Sequence, residues 1–262
     1  MVQRYVRVRT IQGQTCYGLL EADRSVLVLD APPWIGGQPT DLKLDPDSYQ
    51  LLAPCAPTKI VAVGKNYRDR AAEMGAGVPE QPHLFLKPPT AATADGEPIY
   101  YPSQSEQIDY EGSLALVVGV RVSRCSLEQA RKSVWGYTIA NDVTARDLLE
   151  QDKQWTRAKG FDSFCPLGPW SVRDLSASAR IQTFVNDEAE PRQSASIGQM
   201  VFGIDTLIAY ISEIMTLLPG DIVLTGTPPG VGPLEIGDRI RVEIEGIGQL
   251  TNPVVARPDL PA

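Results

Sequence analysis

Residues 109–113, Asp-Tyr-Glu-Gly-Ser, run without a break into the apolar stretch Leu-Ala-Leu-Val-Val of residues 114–118. A strand fits this run. Side chains alternate between the two faces of a strand, so Asp109, Glu111 and Ser113 are expected side by side on one of them. Two carboxylates and a hydroxyl then project together. Like charges drawn out of water need a cation, an arginine or a proton to neutralise them. The segment therefore reads as a metal site or the remnant of one, and the fold must bring a charge-balancing group to it.

A chain of 262 residues can bury a full core, and 43% hydrophobic with 21% charged residues are ordinary globular proportions. One large domain with a small appendage is expected. The net charge of −8 disfavours nucleic acid and anionic membrane as partners, since both call for a basic surface. A small molecule suits the chain better. The first nine residues alternate charge with apolarity instead of forming the apolar block of a signal peptide, and no run has the length of a membrane span. A cytoplasmic protein is the expectation.

Cys16, Cys55, Cys125 and Cys165 are far apart and make no C-x-x-C pair, so reduced thiols are expected, not a zinc site or a disulfide framework. His83 is the single histidine. That excludes every site built from two imidazoles, and no partner is visible that would make His83 a general base. A partly exposed structural residue is the simpler reading.

The chain divides near residue 57, into a small N-terminal β domain (1–57) and a larger domain (58–262). Short alternating stretches at 5–9, 16–20 and 26–29 precede a Pro-Gly-rich passage, and 46–52 reads as a short helix with Asp45 as N-cap and Pro46 at its first position. Further on, strands are expected at 59–63, 84–87, 135–141, 182–185, 221–225, 239–244 and 248–254. Helices are expected at 67–74, at 126–133 with Ser126 as N-cap, from 143 onward, and at 204–216, where apolar residues recur with helical spacing. Strands outnumber helices without regular alternation, so a mixed α+β architecture fits better than a doubly wound sheet.

The loop 225–232, Thr-Gly-Thr-Pro-Pro-Gly-Val-Gly, lacks the lysine of a P-loop and is followed by a strand pattern instead of a helix. Nucleotide binding is disfavoured. Amides exposed in such a turn can bind a carboxylate, although on local sequence alone a plain tight turn is the favoured reading.

Five motifs then occur in order. They are Val63-Gly64-x-Asn66-Tyr67, Phe85-Leu86-Lys87-Pro88, Asp109-Tyr110-Glu111, the stretch from Asn141-Asp142 through Lys159-Gly160-Phe161, and Leu224-Thr225-Gly226-Thr227-Pro228. Together they resemble the fumarylacetoacetate hydrolase family, nearest its small two-domain, acylpyruvate hydrolase-like members. The resemblance implies a mixed β-sandwich roll, a homodimer, and Mg²⁺ or Mn²⁺ held by two glutamates of an E-x-E strand and one aspartate. It also implies action on small 2-oxo or β-diketo acids by hydrolysis, decarboxylation or tautomerisation, with the cation stabilising an enolate.

Carried over by motif, Glu111 and Asp142 match metal ligands, Glu73 the glutamate of a catalytic dyad, and Lys87 and Lys159 catalytic lysines. Gly226 and Thr227 match the substrate-carboxylate turn. Three positions depart from the pattern: Ser113 stands where the second glutamate is usual, Arg70 where the catalytic histidine is usual, and Leu149 where a glutamine is usual. Serine is a neutral ligand, and an arginine keeps its proton at any ordinary pH and cannot act as a base.

These changes suggest that Arg70 reaches the pocket, neutralises Glu111 and Asp142 in place of a cation and takes part in substrate binding. The competing expectation is that Asp69, Asp109 or a water fills the missing corner around a weakly held metal. Arg146 and Asp147 are expected to pair at a helix start, Cys165 to be an inert buried thiol, and Trp135 and Trp155 to be core. Two function classes follow: an enzyme acting on a small 2-oxo acid, or a catalytically degenerate relative that binds an oxo acid or a protein partner.

Overall fold

The strand Gly112–Val118 lies at the centre of the largest sheet, antiparallel to Val134–Asn141 on one side and to Ile222–Leu224 on the other. The computed structural model describes residues 2–73, 75 and 77–258. Leu114, Leu116 and Val118 point into one core with Ile181, Val242 and the helix residue Ile208, while Ala115 and Val117 point into a second with Ile60 and Leu167. A strand buried on both faces needs apolar residues at every position, which is why 114–118 shows no polar alternation.

The large sheet continues from Val134–Asn141 through Cys165–Val172 to the N-terminal strands, and from Ile222–Leu224 through Ile60–Gly64 to His83–Lys87. A five-stranded sheet runs in the order Gln193–Ser196, Arg180–Val185, Arg239–Ile244, Gly248–Ala256, Ile99–Tyr101. The core between these sheets receives the helix Ile204–Ile214 through Ile208 and Ile211. The helix Leu127–Ser133 packs beside it, closed by a capping box between Ser126 and Gln129. No helix among the described residues is long and apolar enough to cross a membrane.

Residues 109–118 do not form one strand. Ile108–Tyr110 belongs to a small sheet with Thr144–Ala145 and Gly232–Leu234, Gly112–Val118 belongs to the large one, and Glu111 stands at the crossing. Gly112 permits the passage, because a Cβ there would lie 2.3 Å from Thr183 Oγ1. Side chains replace ladder partners at this point: Glu111 N–H donates to Asn141 Oδ1 (2.9 Å) and Gly112 N–H to Gln193 Oε1 (3.0 Å).

The helix expected at 46–52 is a single 3₁₀ turn, Pro46–Ser48, followed by the strand Tyr49–Leu52, which pairs with Arg4–Thr10. Tyr49 and Leu51 pack with Val6 and Val8, so a free strand edge and a period-two apolar pair prevail over the local proline signal. The helix expected from 143 begins at Arg146, because Thr144 and Ala145 first pair with Ile108 and Asp109. The helix expected at 67–74 is Arg68–Glu73, with Met74 outside the described residues. The N-terminal strands Arg4–Thr10, Thr15–Leu20, Val26–Leu29 and Pro39–Leu44 form an antiparallel meander that joins the large sheet where Tyr5 pairs with Ser171.

Candidate active site

Glu111, at the crossing between sheets, is fixed next to Asp142, which follows the strand Val134–Asn141; Asp142 N–H donates to the Glu111 carbonyl at 2.8 Å. Three cations converge on the two carboxylates. Lys159, the last residue of the short helix Thr156–Lys159, places Nζ 3.0 Å from Glu111 Oε2 and 2.9 Å from Asp142 Oδ2, and donates to the Asp142 carbonyl at 3.3 Å. Arg146 donates from Nη2 to Glu111 Oε1 at 2.6 Å and from Nε to Asp109 Oδ2 at 2.7 Å. Lys87, at the end of the strand His83–Lys87, places Nζ 2.8 Å from Asp142 Oδ1 and donates to the Val143 carbonyl at 3.1 Å. The Lys87 contact is purely an ion pair, since Asp142 Oδ1 accepts no well-directed hydrogen bond.

Burial alone would raise the Glu111 pKa, but Lys159 and Arg146 outweigh it and hold the carboxyl well below the usual glutamate range. It is a fixed anion and a poor base. Burial pushes the Lys87 ammonium the other way, downward, against the pull of Asp142.

A small cavity of about 40 Å³ opens on this cluster. Lys65, Arg70, Arg146 and Lys159 line it with Glu111 and Thr227, and Val63, Phe85, Leu149 and Trp155 add an apolar wall. Lys87 does not line it; this fully buried side chain stands behind Asp142. Thr227 is set by its turn. Asn66 Nδ2 donates to the Thr225 carbonyl at 2.8 Å, and Gly226, at φ +100°, brings the backbone so close that a Cβ would meet Asn66 Cβ at 2.9 Å. Thr227 Oγ1 accepts from Gln193 Nε2 at 2.8 Å, which leaves its own proton to donate elsewhere.

Arg70 reaches the cavity as expected, but its ion pair is with Glu73, whose other oxygen accepts from Gly230 N–H at 3.1 Å. The guanidinium that meets Glu111 is that of Arg146. Asp147 accepts from Ser105 Oγ (2.6 Å) and Glu106 N–H (3.0 Å), so the expected Arg146–Asp147 pair is absent. The sheet switch at Glu111 explains this, because pairing of Thr144–Ala145 with Ile108–Asp109 carries Arg146 over both carboxylates. Trp155 is cavity wall and not core, with Gly64 making room for its ring. His83 stacks on that ring at 4.7 Å, is exposed, and lines no part of the cavity. Cys165 is buried, and burial pushes its thiol up to about 12, where it is inert. Arg146 and Gln193 escaped the motif reading, and Gln193 has no local signal at all, since it reaches Thr227 from a strand 34 residues earlier.

The profile of the Fumarylacetoacetate (FAA) hydrolase C-terminal family matches residues 59–255, and that of the Rv2993c-like, N-terminal family matches residues 3–54. The chain belongs to the fumarylacetoacetate hydrolase family. It is similar to the oxaloacetate tautomerase YisK of Bacillus subtilis, 44% identical over 221 residues, 78% of this chain and 73% of the relative. A crystal structure of 2-hydroxyhepta-2,4-diene-1,7-dioate isomerase from Mycobacterium marinum superposes with a TM-score of 0.89 at 39% identity, covering 98% of this chain and 100% of that one. Fumarylpyruvate hydrolase from Pseudomonas aeruginosa, solved with Mn²⁺ and pyruvate, gives 0.72 at 34% identity over 79% of this chain and 92% of that one.

A divalent ion fits poorly among the residues of this family member. Ser113, where the resemblance led us to expect a third ligand, is buried and donates its hydroxyl to the Leu114 carbonyl at 3.2 Å. Both Glu111 oxygens and both Asp142 oxygens already face cations at 3.0 Å or less. Among the described residues no group of three or more His, Cys, Asp or Glu side chains is placed to hold a metal.

Proposed function

We propose that this chain catalyses keto–enol tautomerisation of a small 2-oxo acid. The observation that carries the reading is that three cationic residues, Arg70, Arg146 and Lys159, line one small cavity together with Thr227. In this reading the substrate carboxylate takes the Thr227 hydroxyl and Arg70, and the 2-oxo oxygen lies toward Lys159. When the C3 proton leaves, negative charge develops on that oxygen, and preorganised cations stabilise it without rearrangement. Glu73 stands behind Arg70, outside the cavity lining, so in this reading the proton reaches its carboxylate through a water, once the substrate carboxylate has freed it from Arg70. Lys159 protonates the enolate oxygen and is reprotonated from Glu73 through solvent. Lys87 keeps Asp142, and through it Lys159, in position.

Tautomerisation asks less of this site than hydrolysis. Hydrolysis needs an activated water, and position 70 carries an arginine instead of a base. The names of the Bacillus subtilis tautomerase and the Mycobacterium marinum isomerase support the same reaction class. The natural assembly we take to be a homodimer, which light scattering tests directly by reporting twice the chain mass.

The decisive assay follows the enol absorbance of oxaloacetate and acetylpyruvate in the ultraviolet. Wild-type protein is expected to speed relaxation, and Lys159→Ala to lose roughly a hundredfold of that rate while its circular dichroism stays native. Wild-type relaxation no faster than that of the variant would reject the enzyme reading. One observation favours a second reading, an oxo-acid binder without turnover: Lys159 Nζ already makes two hydrogen bonds and a further ion pair, and both Glu73 oxygens are engaged. Oxalate binding with no turnover of any oxo acid would support it.

A further inference from the structure

We infer that fixed cations of the chain replace a divalent metal in this pocket, so that it takes 2-oxo acid anions without one. The inference rests on the proposed oxo-acid chemistry only for the identity of the ligand; the charge argument stands by itself. Four cations, Arg70, Lys87, Arg146 and Lys159, are paired directly with four carboxylates, Glu73, Asp142, Asp109 and Glu111. The cluster, buried except at Glu73, is thus neutral as it stands. A divalent ion on Glu111 and Asp142 would add two positive charges to a neutral cluster, and to reach a carboxylate oxygen it would have to displace Lys159, Lys87 or Arg146 from contacts of 2.6–3.0 Å. Hard cations prefer several anionic oxygens, and the remaining donor here, Ser113, is neutral and turned to a backbone carbonyl.

The two departures from the family pattern act in the same sense. Serine at 113 removes one negative charge, and arginine at 70 in place of a neutral histidine adds one positive charge. Together they supply the charge of one divalent cation. The placement of the pairs suits an anionic ligand. Arg70, Arg146 and Lys159 line the cavity while Glu73, Asp109 and Asp142 do not; Glu111 lines it too, so three of these cations meet the ligand against one carboxylate. Lys65 adds a further positive charge to the wall.

The test is a calorimetric titration of wild-type protein, stripped with EDTA and desalted, first with Mn²⁺ and then with oxalate, a planar dianion that mimics an enolised 2-oxo acid. No Mn²⁺ binding in the micromolar range is expected, and oxalate affinity is expected to be the same with or without Mn²⁺. Micromolar Mn²⁺ binding, or oxalate binding that requires Mn²⁺, overturns the inference. Should oxalate fail to bind in either condition, the oxo-acid reading falls while the Mn²⁺ titration still decides the charge replacement. The double variant Arg70→His/Ser113→Glu is expected to gain Mn²⁺ affinity by roughly a hundredfold. Native melting of that variant with no gain in Mn²⁺ affinity counts against the inference.

Discussion

Lys159 binds Asp142 twice, through the carboxylate oxygen Oδ2 at 2.9 Å and through the backbone carbonyl at 3.3 Å. The second contact ties the ammonium to the main chain where the strand Val134–Asn141 ends, so the cation is positioned by the sheet itself and not only by a flexible partner. Lys87 approaches the same carboxylate from the buried side at 2.8 Å. Asp142 is therefore the shared counter-charge of two lysines that are almost wholly out of water.

Replacing Asp142 by asparagine leaves both lysines short of a negative partner. Breaking a buried pair by removing one member costs about 3–5 kcal/mol, so Asp142→Asn should lower the unfolding free energy by that amount, read as a lower urea midpoint at an unchanged m-value. A loss below about 1 kcal/mol would mean that water reaches the lysines.

The acid limb of stability should trace to Glu111. Its folded pKa is depressed, because Lys159 and Arg146 outweigh burial, whereas the unfolded chain titrates near the ordinary value of 4.5. Its contribution is complete above the unfolded value and is lost as pH falls toward the folded one. Urea midpoints of Glu111→Gln should accordingly change less than those of wild type between about pH 5 and pH 3. Parallel profiles would locate the acid sensitivity elsewhere.

Thr227→Val removes the hydroxyl that Gln193 orients. A hydrogen bond to a charged group is worth about 1.5–3 kcal/mol, so oxalate should bind roughly ten- to a hundredfold more weakly with native melting retained. Gln193→Leu should show part of the same loss, since it frees the Thr227 rotor without deleting it. Equal affinity of both variants and wild type would remove the turn from the ligand site.

Gly226→Ala tests the backbone of that turn. An alanine at φ +100° is strained, and its Cβ would meet Asn66 Cβ at 2.9 Å and the Val63 carbonyl at 3.1 Å. The cost is about 1–2 kcal/mol for the dihedral alone, equivalent to a melting point lower by roughly 2–8 °C. Oxalate affinity should fall with it, because Asn66 and Thr227 move together; an unchanged melt would mean that the turn relaxes freely.

The apolar runs, the helix Ile204–Ile214, the capping signal at Ser126 and the five ordered motifs were legible in the residues, because each depends on contacts between near neighbours or on a spacing the chain carries with it. They led to the mixed α+β class and to the family, and they proposed Glu111, Asp142, Lys159 and Thr227 as candidate site residues. What balances the carboxylates was not legible. Local pattern favoured a single strand from 109 to 118 and a pairing of Arg146 with Asp147, and it made Arg70 the cation for Glu111. Tertiary pairing decided otherwise: the chain changes sheets at Glu111, Thr144 and Ala145 are drawn against Ile108 and Asp109, and Arg146 is set over two carboxylates. Charges act through space at a few ångströms, and the distances that select one cation over another are set by strand register between segments far apart in sequence.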